Sequence, residues 1–127
     1  MAVGFIALVA ATIAGAIWVS HAQERKAAAT YPKCQGRHAA HQAVFEHDKV
    51  VPFHTEAKRC DTLTITNLDD RARYLAFGQH QSHGSYAGVS ERYLSTKGSL
   101  TFTLVKPGNF RFHDHIDDPV YGTFSVK

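Results

Sequence analysis

The stretch SLTFTLVKPGNFRFHDHIDDPVYGTFSV, residues 99–126, decides the fold class. Apolar and polar residues alternate along it, and residues two apart in an extended strand project to the same face of a sheet. The alternation breaks at the tetrapeptide KPGN, residues 106–109, where proline presets one backbone angle while glycine and asparagine accept left-handed backbone. The stretch therefore predicts three strands, at 99–105, 109–113 and 121–126, with a turn between the first two.

The same texture of short alternating segments continues upstream. Strands are predicted at 43–46, 53–57, 63–67 and 73–77, each bounded by turn-forming residues. Period-two burial over many short strands is typical of two sheets that pack face to face. The fold class is therefore all-β, a β-sandwich over residues 34–127, and the content of 44% hydrophobic and 20% charged residues is that of a globular domain.

The first residues differ from the rest of the chain. Residues 2–20 run AVGFIALVAATIAGAIWVS without a charge, which is about the length needed to cross a bilayer as a helix. We predict a signal peptide or a membrane-anchor helix at 1–22, followed by a tether at 23–33. Small residues near its end would allow cleavage by a signal peptidase, and the segment could also stay as an anchor. Arg25 and Lys26 follow the segment, and the positive-inside rule would place the domain in the cytoplasm, but the cysteines favour export.

Cys34 and Cys60 are the only cysteines of the chain. An even cysteine count in a small exported domain predicts a disulfide. Such a bond would close a loop of about 25 residues and stabilise the fold by roughly 3 kcal/mol. Two alternatives stay open: both thiols are free, or Cys34 is a metal ligand together with His38 and His41, which lie close to it in sequence.

The chain contains nine histidines, and two pairs of them stand out. His113 and His115 flank an aspartate at the end of a predicted strand, where both rings project to the same side. His80 and His83 form the motif His-Gln-Ser-His in the polar, glycine-bounded stretch 78–88, which a turn can fold around an ion. Imidazole is a common ligand of copper and zinc. These four histidines are therefore the candidate metal ligands.

Three aspartates crowd the same loop as the second pair: Asp114, Asp117 and Asp118. They could accept hydrogen bonds from the outer nitrogens of the ligating rings and so fix their orientation, and we assign Asp114 and Asp117 to this role. The only methionine is Met1, and a centre without thiolate or thioether is not a blue-copper site. We expect a nitrogen-ligated, weakly coloured copper(II) centre, with zinc as the alternative. The remaining histidines are expected to lie at the surface, in packing contacts or in the export segment: His21, His38, His41, His47 and His54.

Residues 44–127 resemble a cupredoxin domain. The run VFEHDKVVPFHTEAKRCDTLTITNLDD, residues 44–70, is similar to the strand, proline and strand that open many such domains. The run FTLVKPGNFRFHDHIDDPVYGTFSVK, residues 102–127, resembles their closing unit of Pro-Gly, Phe-x-Phe, ligand loop and Gly-Thr-x-x-Val. The resemblance implies a cupredoxin-like Greek-key β-sandwich.

The resemblance also implies that the ordinary blue-copper ligands are replaced. The usual cysteine falls at Asp114, the second histidine at Asp117 and the methionine at Val120, while the first histidine falls near Arg73 or Tyr74. A His-Asp-His loop preceded by His-x-x-His is similar to a branch of exported bacterial cupredoxin-like domains. Both histidine pairs are then expected at one end of the sandwich.

The leading functional prediction is a copper-binding protein outside the cytoplasm, periplasmic or at the cell surface, that serves copper handling or electron transfer. Two alternatives remain. One is a His-ligated copper or zinc enzyme that uses Asp114 or Asp117 as acid or base, although no nucleophile motif supports a specific reaction. The other is a metal-free accessory module of a membrane protein complex. The net charge of +3 is small and scattered, so the expected partners are a metal ion and the membrane, and not a nucleic acid.

Overall fold

The structure is a computed structural model that describes residues 31–127, apart from the side chains of Ser82 and His83. Ten strands form in this part of the chain: β1 (Ala40–Glu46), β2 (Lys49–Val51), β3 (His54–Ala57), β4 (Thr62–Asn67), β5 (Arg73–Gln79), β6 (Ser82–Gly84), β7 (Arg92–Leu94), β8 (Ser99–Thr103), β9 (Gly108–Asp114) and β10 (Tyr121–Val126). The all-β prediction is confirmed, and the seven predicted strands appear with slightly shifted bounds. Three short strands, β2, β6 and β7, were not predicted.

The predicted signal or anchor segment at 1–22, and with it most of the tether at 23–33, lies outside the described residues. Within residues 31–127, no helix has the length and apolar character needed to span a membrane.

The strands form two sheets. One has four strands in the order β2-β1-β4-β8, and the other has the order β3-β10-β9-β5-β6 with β7 also paired to β5. The β1–β4 and β3–β10 pairs are parallel, and the remaining pairs are antiparallel. The core lies between the sheets. Its least exposed members include Leu63 and Ile65 from one sheet and Phe112 and Phe124 from the other, each at most 1% exposed, which is the alternation that the sequence predicts.

Three connections meet at one end of the sandwich, which we call the loop end. They are the β1–β2 turn, the β4–β5 loop and the β9–β10 loop. Arg73 contacts Asp48 in the first, Asp69 in the second and Asp114 at the end of β9, where the third begins. The start of β4 and the C-terminus of β10 lie at the opposite end of the sandwich. There the backbone N–H of Arg59 donates to the carbonyl of Lys127.

The predicted disulfide between Cys34 and Cys60 is confirmed. It joins the segment before β1 to the turn before β4, so it lies at the end opposite the loop end. The backbone N–H of Cys60 donates to the carbonyl of Leu104 at 2.8 Å, which fixes this turn against the strand β8 side of the sandwich. A disulfide in a small domain is typical of proteins that work in an oxidising compartment.

Candidate metal centre

Strand β9 carries His113, one of the predicted metal ligands. Phe110 and Phe112 point inward and belong to the core or pack against it. Because side chains alternate along a strand, Arg111 and His113 project to the outer face of the six-stranded sheet. His113 is nevertheless 0% exposed. The outer face is therefore covered at this position.

Three of the four predicted ligands come together on this outer face. One ring nitrogen from each of His80, His113 and His115 lies within 4.8 Å of one from each of the others. The rings of His80 and His115 are stacked with centroids 5.3 Å apart, and those of His80 and His113 are 6.0 Å apart. The rings differ in exposure: His113 is buried, His115 is half-buried and His80 is exposed.

This spacing fits a metal ion. Imidazole nitrogens bind zinc at about 2.0–2.1 Å, so two nitrogens on opposite sides of an ion lie about 4 Å apart. Three nitrogens that are already within 4.8 Å of one another therefore need only small rotations to share one ion. Neutral imidazole nitrogens are suitable ligands for both copper and zinc.

The backbone explains how His80 and His115 reach this place. Gly78 has a φ of 81°, a left-handed value that glycine adopts without a side-chain penalty, and it redirects the chain two residues before His80. On the other segment, the backbone N–H of His115 donates to the carbonyl of Tyr74 at 2.7 Å. The rings of Tyr74 and His115 also lie 5.8 Å apart.

His83, the fourth predicted ligand, is placed only by its backbone. It pairs with Gly78 in the β5–β6 ladder, three residues after His80. Its side chain lies outside the described part of the structure.

The two aspartates that were expected to orient the rings face arginines in the structure. Asp114 Oδ2 accepts a hydrogen bond from Arg73 Nη1 at 2.9 Å, and Asp117 Oδ2 accepts one from Arg71 Nη2 at 3.1 Å. Asp114 Oδ1 accepts from the backbone N–H of Tyr74 at 3.1 Å. Asp114 thus fastens the His113–His115 loop to the start of β5.

Arg73 was not recognised from the sequence as a buried residue. Its side chain is 0% exposed, and its guanidinium donates to Asp69, Asp114 and Asp48. Burial alone would lower the pKa of Arg73, but the hydrogen bonds to Asp114, Asp69 and Asp48 outweigh it and raise the pKa, so the group stays charged. The hydrogen bond from Arg73 also lowers the pKa of the exposed Asp48 carboxyl.

A second arginine joins the two histidine-bearing segments. Arg111 Nη1 donates to the carbonyl of Gly78 at 3.1 Å, and its Nη2 donates to Asp118 Oδ1 at 3.2 Å. The guanidinium carbon lies 4.3 Å from the centre of the Tyr121 ring. Asp118 Oδ1 in turn lies 4.0 Å from Nε2 of His113.

Comparison with known proteins identifies the fold. No protein-family model matches the chain, and no curated protein matches it. Among solved structures, the purple cupredoxin from Nitrosopumilus maritimus superposes with a TM-score of 0.59 at 14% identity, over 68% of this chain and 98% of that one. A reduced-state amicyanin variant superposes with a TM-score of 0.58 at 15% identity, over 76% of this chain and 96% of that one. The described part of this chain is a cupredoxin-like domain.

The cupredoxin-like domain departs from the blue-copper arrangement at the loop end. Asp114 stands where the resemblance places the usual cysteine, and it forms an ion pair with Arg73. The resemblance places the first histidine near Arg73 or Tyr74. Both cysteines are bonded to each other, so no thiolate is available as a ligand. The histidine cluster lies instead on the outer face of the six-stranded sheet. His113 and Asp114 are successive residues of β9, so their side chains project to opposite faces.

Proposed function

We propose that this cupredoxin-like domain binds Cu(II) through His80, His113 and His115, with His83 as a fourth candidate ligand, and that it serves copper handling or electron transfer outside the cytoplasm. The observation that carries the proposal is the convergence of three imidazole nitrogens to within 4.8 Å of one another. They come from two chain segments that are separated by more than 30 residues.

The chemistry of the donor set supports copper over other divalent ions. Copper(II) stands highest in the Irving–Williams order for nitrogen ligands, with zinc below it. A bound copper ion would supply a one-electron Cu(II)/Cu(I) couple. The buried His113 would bind the ion on its protein side, and the exposed His80 would bind it on the side of the solvent.

The surroundings support a place outside the cytoplasm. The Cys34–Cys60 disulfide persists in oxidising compartments. The apolar segment at 1–22 would export the domain or attach it to a membrane, and Asp114 and Asp117 would support the centre by holding its loop.

Equilibrium dialysis against Cu(II) and Zn(II) tests the proposal. The wild-type chain should bind one Cu(II) ion, more tightly than Zn(II). A variant with His113→Ala and His115→Ala should lose more than about 100-fold in affinity, because even outer partners of metal ligands are worth 10–100-fold. Protons compete for the same nitrogens, so binding should weaken as the solution becomes acidic.

A matched control removes two histidines elsewhere. His38 and His54 are exposed, and a variant with both changed to alanine should bind copper as the wild type does. Unchanged stoichiometry in the His113 and His115 variant would rule out this centre. A wild-type chain that binds neither metal would instead favour the metal-free accessory module.

A further inference from the structure

We infer that the carboxylate of Asp118 is a further ligand of the same centre, so that the ion is held by imidazole nitrogens and one carboxylate oxygen. This inference rests on the proposed metal binding by His80, His113 and His115. It assigns to Asp118 a direct contact with the ion.

The distance from Asp118 to the His113 ring supports a direct contact. Asp118 Oδ1 lies 4.0 Å from His113 Nε2. Histidine nitrogens and carboxylate oxygens bind zinc at about 2.0–2.2 Å, so two ligand atoms of one ion lie between about 3 and 4 Å apart. The Asp118 side chain is 41% exposed, which gives its carboxylate room to rotate toward an ion held by the three rings.

The shape of the surface supports the same assignment. A recess of about 700 Å³ lies beside the cluster and is lined by Gln79, His80, Gln81 and Asp118. The exposed side of the proposed ion therefore faces a space in which Asp118 forms part of the wall.

Arg111 holds this carboxylate near the rings. It donates to Asp118 Oδ1 at 3.2 Å and to the Asp118 carbonyl at 3.4 Å, while its other nitrogen binds the carbonyl of Gly78. An ionised carboxylate has two oxygens and about four lone pairs. Asp118 can therefore keep its bond to Arg111 and bind an ion at the same time.

The neighbouring aspartates are committed to other contacts. Asp114 is 2% exposed and is bonded to Arg73, and Asp117 is bonded to Arg71. Among these three aspartates, Asp118 is the one that approaches a ring of the cluster.

An oxygen ligand has a consequence for the oxidation state of copper. Cu(I) prefers soft sulfur ligands, whereas a carboxylate is a hard donor. Asp118 should therefore favour Cu(II) over Cu(I), which suits a carrier of Cu(II) better than a rapid electron donor.

Copper EPR spectroscopy and competition titration on the full-length chain test the inference. With one equivalent of Cu(II), Asp118→Asn should change the g value and the copper hyperfine splitting along the main axis. It should also weaken binding at least about tenfold, the lower limit seen for outer partners of metal ligands. Asparagine keeps the size of the side chain and still accepts the hydrogen bond from Arg111, and Asp118→Glu, which keeps the carboxylate, should retain more of the affinity than Asp118→Asn does.

Asp70→Asn is the matched control, since it removes an exposed carboxylate of the β4–β5 loop without removing the assigned ligand or a residue that holds the ligand loop. It should leave the spectrum and the affinity as in the wild type. A wild-type spectrum in Asp118→Asn would overturn the inference and leave the three-histidine centre standing. Failure of the wild type to bind copper would remove the proposed function and the inference together.

Discussion

Replacing Arg73 with methionine should lower the free energy of unfolding by about 3–5 kcal/mol, the usual cost of removing one partner from a buried ion pair. The Arg73 side chain is 0% exposed, and its partners Asp69 and Asp114 have side chains only 10% and 3% exposed. Methionine fills similar space but leaves both carboxylates without their cation. Both carboxylates are largely shielded from water in the folded state.

Urea denaturation at neutral pH, with the disulfide intact, measures this loss as a lower transition midpoint at an unchanged slope. The matched control is Arg71→Met. Arg71 shares Asp48 with Arg73 but its side chain is 55% exposed, so its loss should cost less than about 1 kcal/mol and should shrink in high salt. Equal losses in the two variants would refute the reasoning, because burial would then make no difference to the value of the pair.

Two further changes test the packing and the disulfide end. Gly122→Ala should destabilise the fold by about 1–3 kcal/mol through overpacking, since a Cβ there would lie 2.6 Å from Val50 Cγ1 and 2.8 Å from Phe112 Cζ; a thermal midpoint equal to that of the wild type would contradict the close packing. The hydrogen bond from His41 lowers the pKa of Asp61 below its ordinary value of 3.8, so Asp61 contributes stability above about that pH and loses it as the pH falls through the lowered value. Asp61→Asn should therefore cost about 1–3 kcal/mol at pH 7 and progressively less in acid, and a difference that stays constant down to pH 2 would count against this origin.

The strands were predictable because their signal is local. In β9, Phe110 and Phe112 share one face of the strand and enter the core, as period-two burial requires. The same alternation puts Asp114 on the inward face with Phe112 and on the opposite side from His113. Strand alternation alone could therefore have predicted that Asp114 faces away from the His113 ring.

The burial of Arg73 was not predictable in the same way. Its parity matches the inward residues Leu75 and Phe77, but long basic side chains at a strand end can also extend to solvent. What keeps it inside is the pair of carboxylates of Asp69 and Asp114, which come from the β4–β5 loop and from the end of β9. Such a coincidence is a property of the tertiary structure.

The convergence of the histidines was visible in the sequence only as two separate pairs. Strand alternation predicts that His113 and His115 project to the same side. The position of His80 depends instead on the left-handed backbone at Gly78 and on the hydrogen bond from Arg111 to the Gly78 carbonyl. Strands of three residues such as β6 are too short to show a period.

The ion pair between Arg73 and Asp114 has a consequence for the stability of the domain without a metal ion. Many small metalloproteins unfold when their ion is withdrawn, because the ion itself closes the interior. Here the guanidinium already supplies a permanent positive charge between the sheets, and the histidine rings stand outside them. The domain should therefore remain folded when the ion that we propose is absent.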